Sequence, residues 1–219
     1  MTVDADTAEL RERLIATARA LNTQSLSRGK SGNVSARVDG GFVVTPSGMA
    51  YEALAPDDLV VVRDDGSTQG ARKASSEWPL HHAVYRARAD AAAIVHAHAP
   101  FATALACHDR GIPPFHYMVA VAGGDDIRCA PYATFGTADL GAHVVAALED
   151  RRACLMSHHG LVALGRSPEH ALALAVDVEA LAEIYSRALA IGEPAPLTLA
   201  QMRDAAAQFG RYGQRDADA

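Results

Sequence analysis

Cysteine is scarce in this chain, and the few cysteines are poorly placed for pairing. Among 219 residues only Cys107, Cys129 and Cys154 are cysteines, which is an odd number without a Cys-X-X-Cys motif. A secreted disulfide scaffold needs a dense and even set of cysteines. The sequence therefore excludes such a scaffold, and we expect a protein of a reducing compartment, the cytoplasm.

Long apolar runs and concentrated positive charge are also missing. No stretch approaches the roughly 20 apolar residues that a membrane-spanning helix requires, and segment 1–9 is acidic without the apolar core of a signal peptide. The net charge is −6, the pI is near 5.9, and lysine and arginine form no stripe. We therefore expect neither a nucleic acid nor a membrane as a partner.

What the chain does have is a regular alternation of helical and extended patterns, with 49% hydrophobic residues to build a core. Apolar residues at helical spacing predict helices at 8–21, 77–89, 101–107, 137–148, 168–190 and 199–209. Short apolar runs predict strands at 34–38, 42–45, 59–63, before His98, and at 153–156. The Gly-rich turn at 39–41 predicts a hairpin, so we expect one α/β domain with a partly antiparallel sheet.

Histidines occur where a metal site is expected. His96 and His98 follow an apolar run typical of a buried strand, and strand residues two apart project to the same side. His158 and His159 end another apolar run and could supply a third imidazole, although periodicity does not choose between them. Three nitrogens with one open position are typical of catalytic zinc. We predict one Zn²⁺ per chain, or another divalent cation, and water activation is the commonest use of such a site.

Glu77 is the carboxylate that could reach this metal. It starts a helix just before the histidine strand, and it could act as fourth ligand and then as proton acceptor when substrate displaces it. The alternative is a glutamate stabilised only by the helix dipole. His81 and His82 follow on the same helix, and we expect them on the surface or beside the metal ligands.

Three loops of small and polar residues could bind a phosphate group. Ser75 and Ser76 precede the predicted helix at 77–89, where free backbone N–H groups and the helix dipole favour an anion. The other loops contribute neutral donors, and Lys30 supplies charge; these loops hold Gly32, Asn33, Ser47 and Gly48. Taken one by one, each loop could instead only cap a helix, turn the chain or start a hairpin.

Seven short motifs, in this order and spacing, resemble the class II aldolase/adducin family. They are Gly32-Asn33-Val34-Ser35, Thr45-Pro46-Ser47-Gly48, Ser75-Ser76-Glu77-Trp78, Val95-His96-Ala97-His98, His116-Tyr117-Met118, the segment 129–137 and His158-His159-Gly160-Leu161. The resemblance extends from the first helix to Tyr212. It implies one domain over residues 1–213, and we expect the polar tail 214–219 to be disordered. It also implies a three-layer α/β/α fold with a largely antiparallel central sheet.

The resemblance also implies roles for single residues. Family members bind zinc through three imidazoles and a glutamate that swings away to become the acid/base; the matching residues are His96, His98, His159 and Glu77. Their phosphate cradle matches Gly32, Asn33, Ser47, Gly48, Ser75 and Ser76. The family's homotetramer shares active sites between neighbouring subunits, with Tyr117 and the apolar Phe135 at the shared site. Tyr212 matches a tail tyrosine that closes over the substrate.

The reaction that the resemblance implies is aldol cleavage. A ketose 1-phosphate such as L-fuculose 1-phosphate would yield dihydroxyacetone phosphate and a small aldehyde such as L-lactaldehyde, through a metal-stabilised enediolate. Because zinc accepts the charge, no lysine Schiff base is needed, and the chain has only Lys30 and Lys73. Lys30 lies where the aldolases carry a smaller hydroxyl residue, so substrate choice could differ.

Other reactions on the same scaffold stay open at this point. They are a methylthioribulose 1-phosphate dehydratase or aldolase, a sugar-acid phosphate decarboxylase and a ribulose 5-phosphate 4-epimerase. Epimerases tend to carry Asp at the position of Glu77, which favours aldol cleavage over epimerisation. A non-catalytic module like the adducin head loses the metal histidines, and here His96, His98 and His159 are all present.

Overall fold

The structure is a computed structural model that describes residues 5–209. Tyr212 and the tail 214–219 lie outside the described residues. Within them, the α-helices are α1 Ala8–Thr23, α2 Trp78–Ala87, α3 Pro100–Ala106, α4 Ala138–Ala147, α5 Pro168–Leu189 and α6 Leu199–Phe209. The strands are β1 Asn33–Val38, β2 Gly41–Val44, β3 Val60–Arg63, β4 Thr68–Gln69, β5 Ala93–Ala97, β6 Cys129–Ala130, β7 Ala153–Met156 and β8 Gly160–Gly165. Three short 3₁₀ turns complete the set, at Tyr51–Ala53, Pro56–Asp58 and Tyr117–Ala122.

The strands form one sheet in the order β4-β3-β2-β1-β5-β8-β7-β6. Neighbouring strands run antiparallel except for β6 and β7, which are parallel. The hairpin predicted from the Gly-rich turn is β1–β2, in which Val38 pairs with Gly41. The expectation of a largely antiparallel sheet is confirmed.

Helices cover both faces of the sheet, because successive strand residues point to opposite sides. In β5, Val95 belongs to the core under α1, α3 and α5, whereas Ile94 belongs to the core under α2 and α4. Each helix buries one apolar stripe against its core, as Leu14 and Leu21 do in α1. The three-layer α/β/α architecture predicted for the chain is therefore confirmed.

Strands β4, β6 and β8 were not predicted from the sequence. Strand β8 was missed, although it lies between β5 and β7 at the centre of the sheet and continues the His158–His159 turn. A six-residue apolar run so close to a strand and a helix gives no distinct periodicity of its own.

Among residues 5–209, none of the helices combines the length and apolar character needed to cross a membrane.

Candidate functional site

Three strand ends meet at one edge of the sheet and create the site. Because β1 and β8 both run antiparallel to β5, the start of each lies beside the end of β5. Asn33 pairs with His96, and Ala97 pairs with Leu161. His96, His98 and the turn carrying His159 are thereby brought to the same edge, although His98 and His159 are 61 positions apart in the chain.

The three imidazole rings converge on one point. The ring centres lie 4.9 Å apart for His96 and His98, 4.8 Å for His96 and His159, and 4.9 Å for His98 and His159. The Nε2 atoms of His96 and His98 are 3.1 Å apart. The structure thus brings together the three histidines that the sequence analysis assigned to the metal.

Glu77 completes the cluster from the start of helix α2. It lies at the N-cap of α2 without capping the helix through its side chain, and only 7% of it is exposed. Its Oε2 atom lies 3.1 Å from Nε2 of His96, and its Oε1 atom lies 3.0 Å from Nε2 of His159. One ligand atom from each of Glu77, His96, His98 and His159 falls within 4.8 Å of the others.

The donor atoms of this cluster suit a cation better than they suit each other. Nδ1 of His96 lies 2.9 Å from the carbonyl of Leu161 and must donate to it, so Nε2 of the neutral ring carries a lone pair. That lone pair faces the Glu77 carboxylate, which also only accepts. Oε1 of Glu77 is buried, and apart from the His159 ring nitrogen it has no hydrogen-bond donor among the described residues. Three imidazole nitrogens and one carboxylate oxygen form a donor set typical of zinc.

Charges within the cluster shift the ionisation of its members. Burial disfavours the Glu77 carboxylate, but the imidazoles of His96 and His159 lower its pKa well below the usual glutamate range. Burial, reinforced by His96 and His159, lowers the pKa of His98 to about 4. Burial disfavours a charged His96 ring, but the Glu77 carboxylate and the Leu161 carbonyl raise the pKa of His96 above the usual histidine value. The negative carboxylate thus favours positive charge at a buried point, which is an environment suited to a divalent cation.

A tight turn between β7 and β8 decides which of the two adjacent histidines reaches the cluster. His158 has a left-handed backbone with φ of 52°, is exposed, and places its ring 6.2 Å from that of Tyr132. Gly160 follows, and a Cβ there would lie 2.3 Å from the carbonyl oxygen of Ala97. Only glycine permits this approach of β8 to β5, so His159 and not His158 joins His96 and His98.

The cluster opens into a cavity of about 380 Å³. Its walls contain every residue of the three predicted phosphate loops; these are Lys30, Gly32, Asn33, Ser47, Gly48, Ser75 and Ser76. Two of the loops are tied together, because the amide of Ser75 donates to the carbonyl of Thr45 and the amide of Ser47 donates to that of Lys73. Phe135 and the unpredicted Tyr132 form the outer wall, and each is 62% exposed. Tyr132 lies within the 129–137 motif, so its place in that motif is the sequence feature that could have identified it as a site residue.

Tyr117 lies away from this chain's own cavity. It starts a 3₁₀ turn, is 51% exposed, and stacks its ring on Phe209 at 6.1 Å. Tyr212, the other tyrosine assigned to the site, lies outside the described residues. The two tyrosine roles therefore stay predictions.

His81 was expected on the surface or beside the metal ligands, and the structure excludes the surface position. Its side chain is fully buried, with Nε2 2.5 Å from Oδ1 of Asn33 and Nδ1 2.7 Å from Oγ of Ser35. Asn33 in turn donates from Nδ2 to Oε2 of Glu77 at 2.9 Å. His82 is partly exposed and lies 2.9 Å from the Asp64 carbonyl. Adjacent residues on a helix point about 100° apart, so His81 faces β1 while His82 lies towards the surface.

The fold and site can now be compared with known proteins. The family model of the class II aldolase and adducin N-terminal domain matches residues 12–186. The chain therefore belongs to the class II aldolase and adducin family. Class II aldolases are metal-dependent lyases, and the group of Glu77 with three histidines is the part of this chain that could hold the ion.

Individual relatives agree with this assignment over nearly their full length. A 5-methylthioribulose-1-phosphate/5-deoxyribulose-1-phosphate aldolase of Rhodospirillum rubrum is 50% identical, covering 93% of this chain and 92% of its own. An L-fuculose phosphate aldolase of Escherichia coli K12 is 43% identical, and the match covers 94% of this chain and 97% of that protein. A solved structure of an L-fuculose 1-phosphate aldolase superposes with a TM-score of 0.90 at 37% identity, and the match covers 93% of this chain and 97% of that one.

Proposed function

We propose that this protein is a zinc-dependent aldolase that cleaves a ketose 1-phosphate to dihydroxyacetone phosphate and a small aldehyde. One observation carries the proposal: the Glu77 carboxylate lies between the imidazoles of His96 and His159 at the inner end of a cavity whose walls are phosphate-type loops. The reaction is reversible, so the same site would join the two products.

The residues of the inner site suit proton transfer beside a metal. A divalent cation held by His96, His98, His159 and Glu77 would supply a Lewis acid for the negative charge that develops when the C3–C4 bond breaks. Glu77 would exchange a proton at C3; in support, its carboxylate stays ionised, and apart from the His159 ring nitrogen its Oε1 atom has no donor among the described residues.

The outer loops suit the phosphate end of the substrate. Ser47, Ser75 and Ser76 offer hydroxyl and backbone donors, and Gly48 exposes its backbone without a side chain. Ser75 and Ser76 also precede the N-terminus of α2, where the helix dipole favours an anion. Lys30 at the rim adds the positive charge that would attract a dianion.

The remaining site residues belong to a shared active site in this proposal. Tyr117 is exposed and absent from its own chain's cavity, which fits a role at the cavity of a neighbouring subunit in a homotetramer. There it would take up or release the proton of the C4 hydroxyl that becomes the aldehyde. Phe135 would give an apolar contact, and Tyr212 would close over the substrate. The protein would work in the cytoplasm.

Two substrate classes fit this description about equally. The L-fuculose phosphate aldolases among the relatives favour a six-carbon 6-deoxy ketose 1-phosphate. The 50% identical relative favours five-carbon ketose 1-phosphates with a methyl or methylthio end. Both share the dihydroxyacetone phosphate half and end in an apolar group, so the choice concerns only the aldehyde half. The L-fuculose 1-phosphate type is our first proposal and the five-carbon type is the alternative.

A panel assay tests the activity and chooses between these classes. Purified protein is incubated with L-fuculose 1-phosphate, 5-deoxyribulose 1-phosphate and 5-methylthioribulose 1-phosphate, and released dihydroxyacetone phosphate is followed by coupled NADH oxidation. Unphosphorylated L-fuculose is the matched control and should not be cleaved. We expect about one zinc per chain by elemental analysis, loss of activity on chelation and recovery when zinc is returned.

Other outcomes of the panel would redirect or refute the proposal. Consumption of a phosphorylated substrate without triose phosphate would replace aldol cleavage with dehydration, decarboxylation or epimerisation. Cleavage that survives complete removal of the metal would contradict the role given to His96, His98 and His159.

A further inference from the structure

A ladder of buried hydrogen bonds connects strand β1 to helix α2 and ends at Glu77. The ladder uses every second residue of β1 and every fourth residue from Glu77 along α2. They are Asn33, Ser35 and Arg37 on the strand and Glu77, His81 and Tyr85 on the helix side. Two strand residues advance about 6.6 Å and four helix residues about 6.0 Å, so the two repeats stay in register over three rungs.

The end of the ladder at Glu77 has a fixed hydrogen-bond direction. An ionised carboxylate only accepts hydrogen bonds, so the group of Asn33 that lies 2.9 Å from Oε2 of Glu77 must be the Nδ2 amide. The Oδ1 atom of Asn33 is then turned towards Nε2 of His81 at 2.5 Å. Since Oδ1 only accepts, His81 must carry its proton on Nε2.

The same reasoning continues to the far end. A neutral imidazole protonated on Nε2 accepts at Nδ1, so the Ser35 hydroxyl, at 2.7 Å, donates to it. The Ser35 oxygen is then left to accept from the Tyr85 hydroxyl, at 2.8 Å. Every donor from Tyr85 to Asn33 therefore points towards Glu77.

The ladder is buried, so water cannot replace its bonds. His81 and Ser35 are fully buried, and Asn33 and Tyr85 are buried as well. Burial, with the charge of His96 adding to it and Glu77 opposing it, lowers the pKa of His81 to about 3, in keeping with a neutral ring. Hydrogen bonds in such surroundings are stronger than in water, and an unpaired member is costly.

Arg37 holds the far end of the helix in place. Its guanidinium donates to the carbonyl of Tyr85 in the last turn of α2 and to those of Arg88 and Ala91 just after it. It also lies 4.7 Å from the centre of the Tyr85 ring. The helix that carries His81 therefore cannot slide along β1 without breaking these bonds.

We infer that His81 is a positioning residue: through the orientation it imposes on Asn33, it holds the Glu77 carboxylate in the geometry needed for proton transfer. Without the Nε2 proton of His81, the Asn33 amide could turn and place Oδ1 against Oε2 of Glu77, two acceptors in contact. The inference rests on the proposed function for its kinetic consequence, whereas the hydrogen-bond direction rests on the structure alone.

Kinetics of paired variants test the positioning role. His81→Leu removes both hydrogen bonds and should lower kcat about 10- to 100-fold while KM for the cleaved ketose 1-phosphate stays within about twofold. His81→Gln keeps a donor towards Asn33 and should return kcat to within about threefold of wild type. His82→Leu, on the same helix but outside the ladder, is the matched control and should keep wild-type kcat.

Zinc content separates a positioning role of His81 from damage to the metal site. We expect both His81 variants to hold about one zinc per chain, because His96, His98 and His159 remain. Equal losses in His81→Leu and His81→Gln, a change in KM alone, or loss of zinc from His81→Gln would each overturn the inference.

A measurement without turnover tests the hydrogen-bond direction. Long-range ¹H–¹⁵N correlation spectra of ¹⁵N-labelled protein at pH 7, metal-free and zinc-loaded, report which ring nitrogen carries the proton. The signal that disappears in His81→Gln identifies His81, and it should show a neutral ring protonated on Nε2. A proton on Nδ1 or an imidazolium overturns the inference. If wild-type protein cleaves none of the ketose 1-phosphates, the proposed function fails, while this spectrum still decides the ladder.

Discussion

At the scale of single residues, Glu77 shows why a side chain's role depends on what lies opposite it. Glutamate before a helix is commonly only a favourable charge for the helix dipole. Here the side chain makes no capping bond and instead lies between two imidazoles, with one oxygen bonded by Asn33. The carboxylate is held negative and close to the histidines proposed as metal ligands, which are the two properties that a proton acceptor beside a Lewis acid needs.

Replacing this carboxylate should separate metal binding from turnover. Glu77→Gln keeps the shape of the side chain but loses the charge and the proton acceptor, so we expect kcat to fall about 10²- to 10⁴-fold. The three histidines should still retain about one zinc per chain, as measured by elemental analysis. Glu149→Gln, at an exposed position, is the control and should behave as wild type. A fully active Glu77→Gln protein would remove this residue from the reaction.

At the scale of elements, the site depends on how closely β8 approaches β5. The end of β5 supplies His96, and the turn entering β8 supplies His159, so the separation of these strands sets the distance between the two rings. Gly160 permits the contact, since its Cα faces the backbone of Ala97. Close backbone approach at this point is thus part of the proposed metal site.

Adding one methyl group at this contact should disturb both stability and metal binding. In Gly160→Ala the new Cβ would lie 2.3 Å from the Ala97 carbonyl oxygen, so we expect a loss of about 2 kcal/mol or more in the free energy of unfolding. Displacement of His159 should also weaken zinc binding. Urea unfolding and zinc titration measure the two effects.

Gly29→Ala separates this steric conflict from ordinary backbone strain. Gly29 has a φ of +71° but no atom within 4 Å of a new Cβ. Its substitution should cost only the left-handed penalty of about 1–2 kcal/mol and leave zinc affinity unchanged. Equal zinc affinity in the two variants would show that the β5–β8 contact does not position His159.

At the scale of the whole molecule, the exposed aromatic residues suggest that the single chain is incomplete. Tyr117, Tyr132 and Phe135 are all more than half exposed, and two of them border the cavity mouth. Aromatic residues are enriched where protein surfaces meet each other. These positions agree with the proposed homotetramer, in which Tyr117 of one subunit would serve the cavity of its neighbour.

Mixing two inactive proteins tests the shared site. Tyr117→Phe and Glu77→Gln should each have low activity as separate tetramers. After dissociation and reassembly of an equal mixture, roughly a quarter of the sites would combine an intact Glu77 with an intact Tyr117 from the neighbour. Aldolase activity should then rise well above that of either parent. No gain in assembled mixtures, verified by mass spectrometry, would place Tyr117 outside the neighbour's site.

The sequence by itself determined the chemistry of the site and most of the elements. The six helices were predicted within a few residues, because their apolar stripes are long enough to show a clear period. The metal-ligating residue types and the phosphate-type loops were also recognisable from local motifs. Strand β8 was missed, because it has no distinctive local pattern. For His81 the sequence left open a place on the surface or one beside the metal ligands, although the spacing of Glu77, His81 and Tyr85 by four was a signal that they share one side of the helix.

Only the tertiary structure decided which of these groups meet. The choice of His159 over His158 depends on a left-handed turn and on the close approach of Gly160 to β5, which involves residues far apart in the chain. The bonds of Asn33 to both Glu77 and His81 depend on the register between β1 and α2. Local sequence fixes the side chains and their periodicity, whereas long-range backbone pairing fixes the distances between them, and those distances decide metal binding and proton transfer.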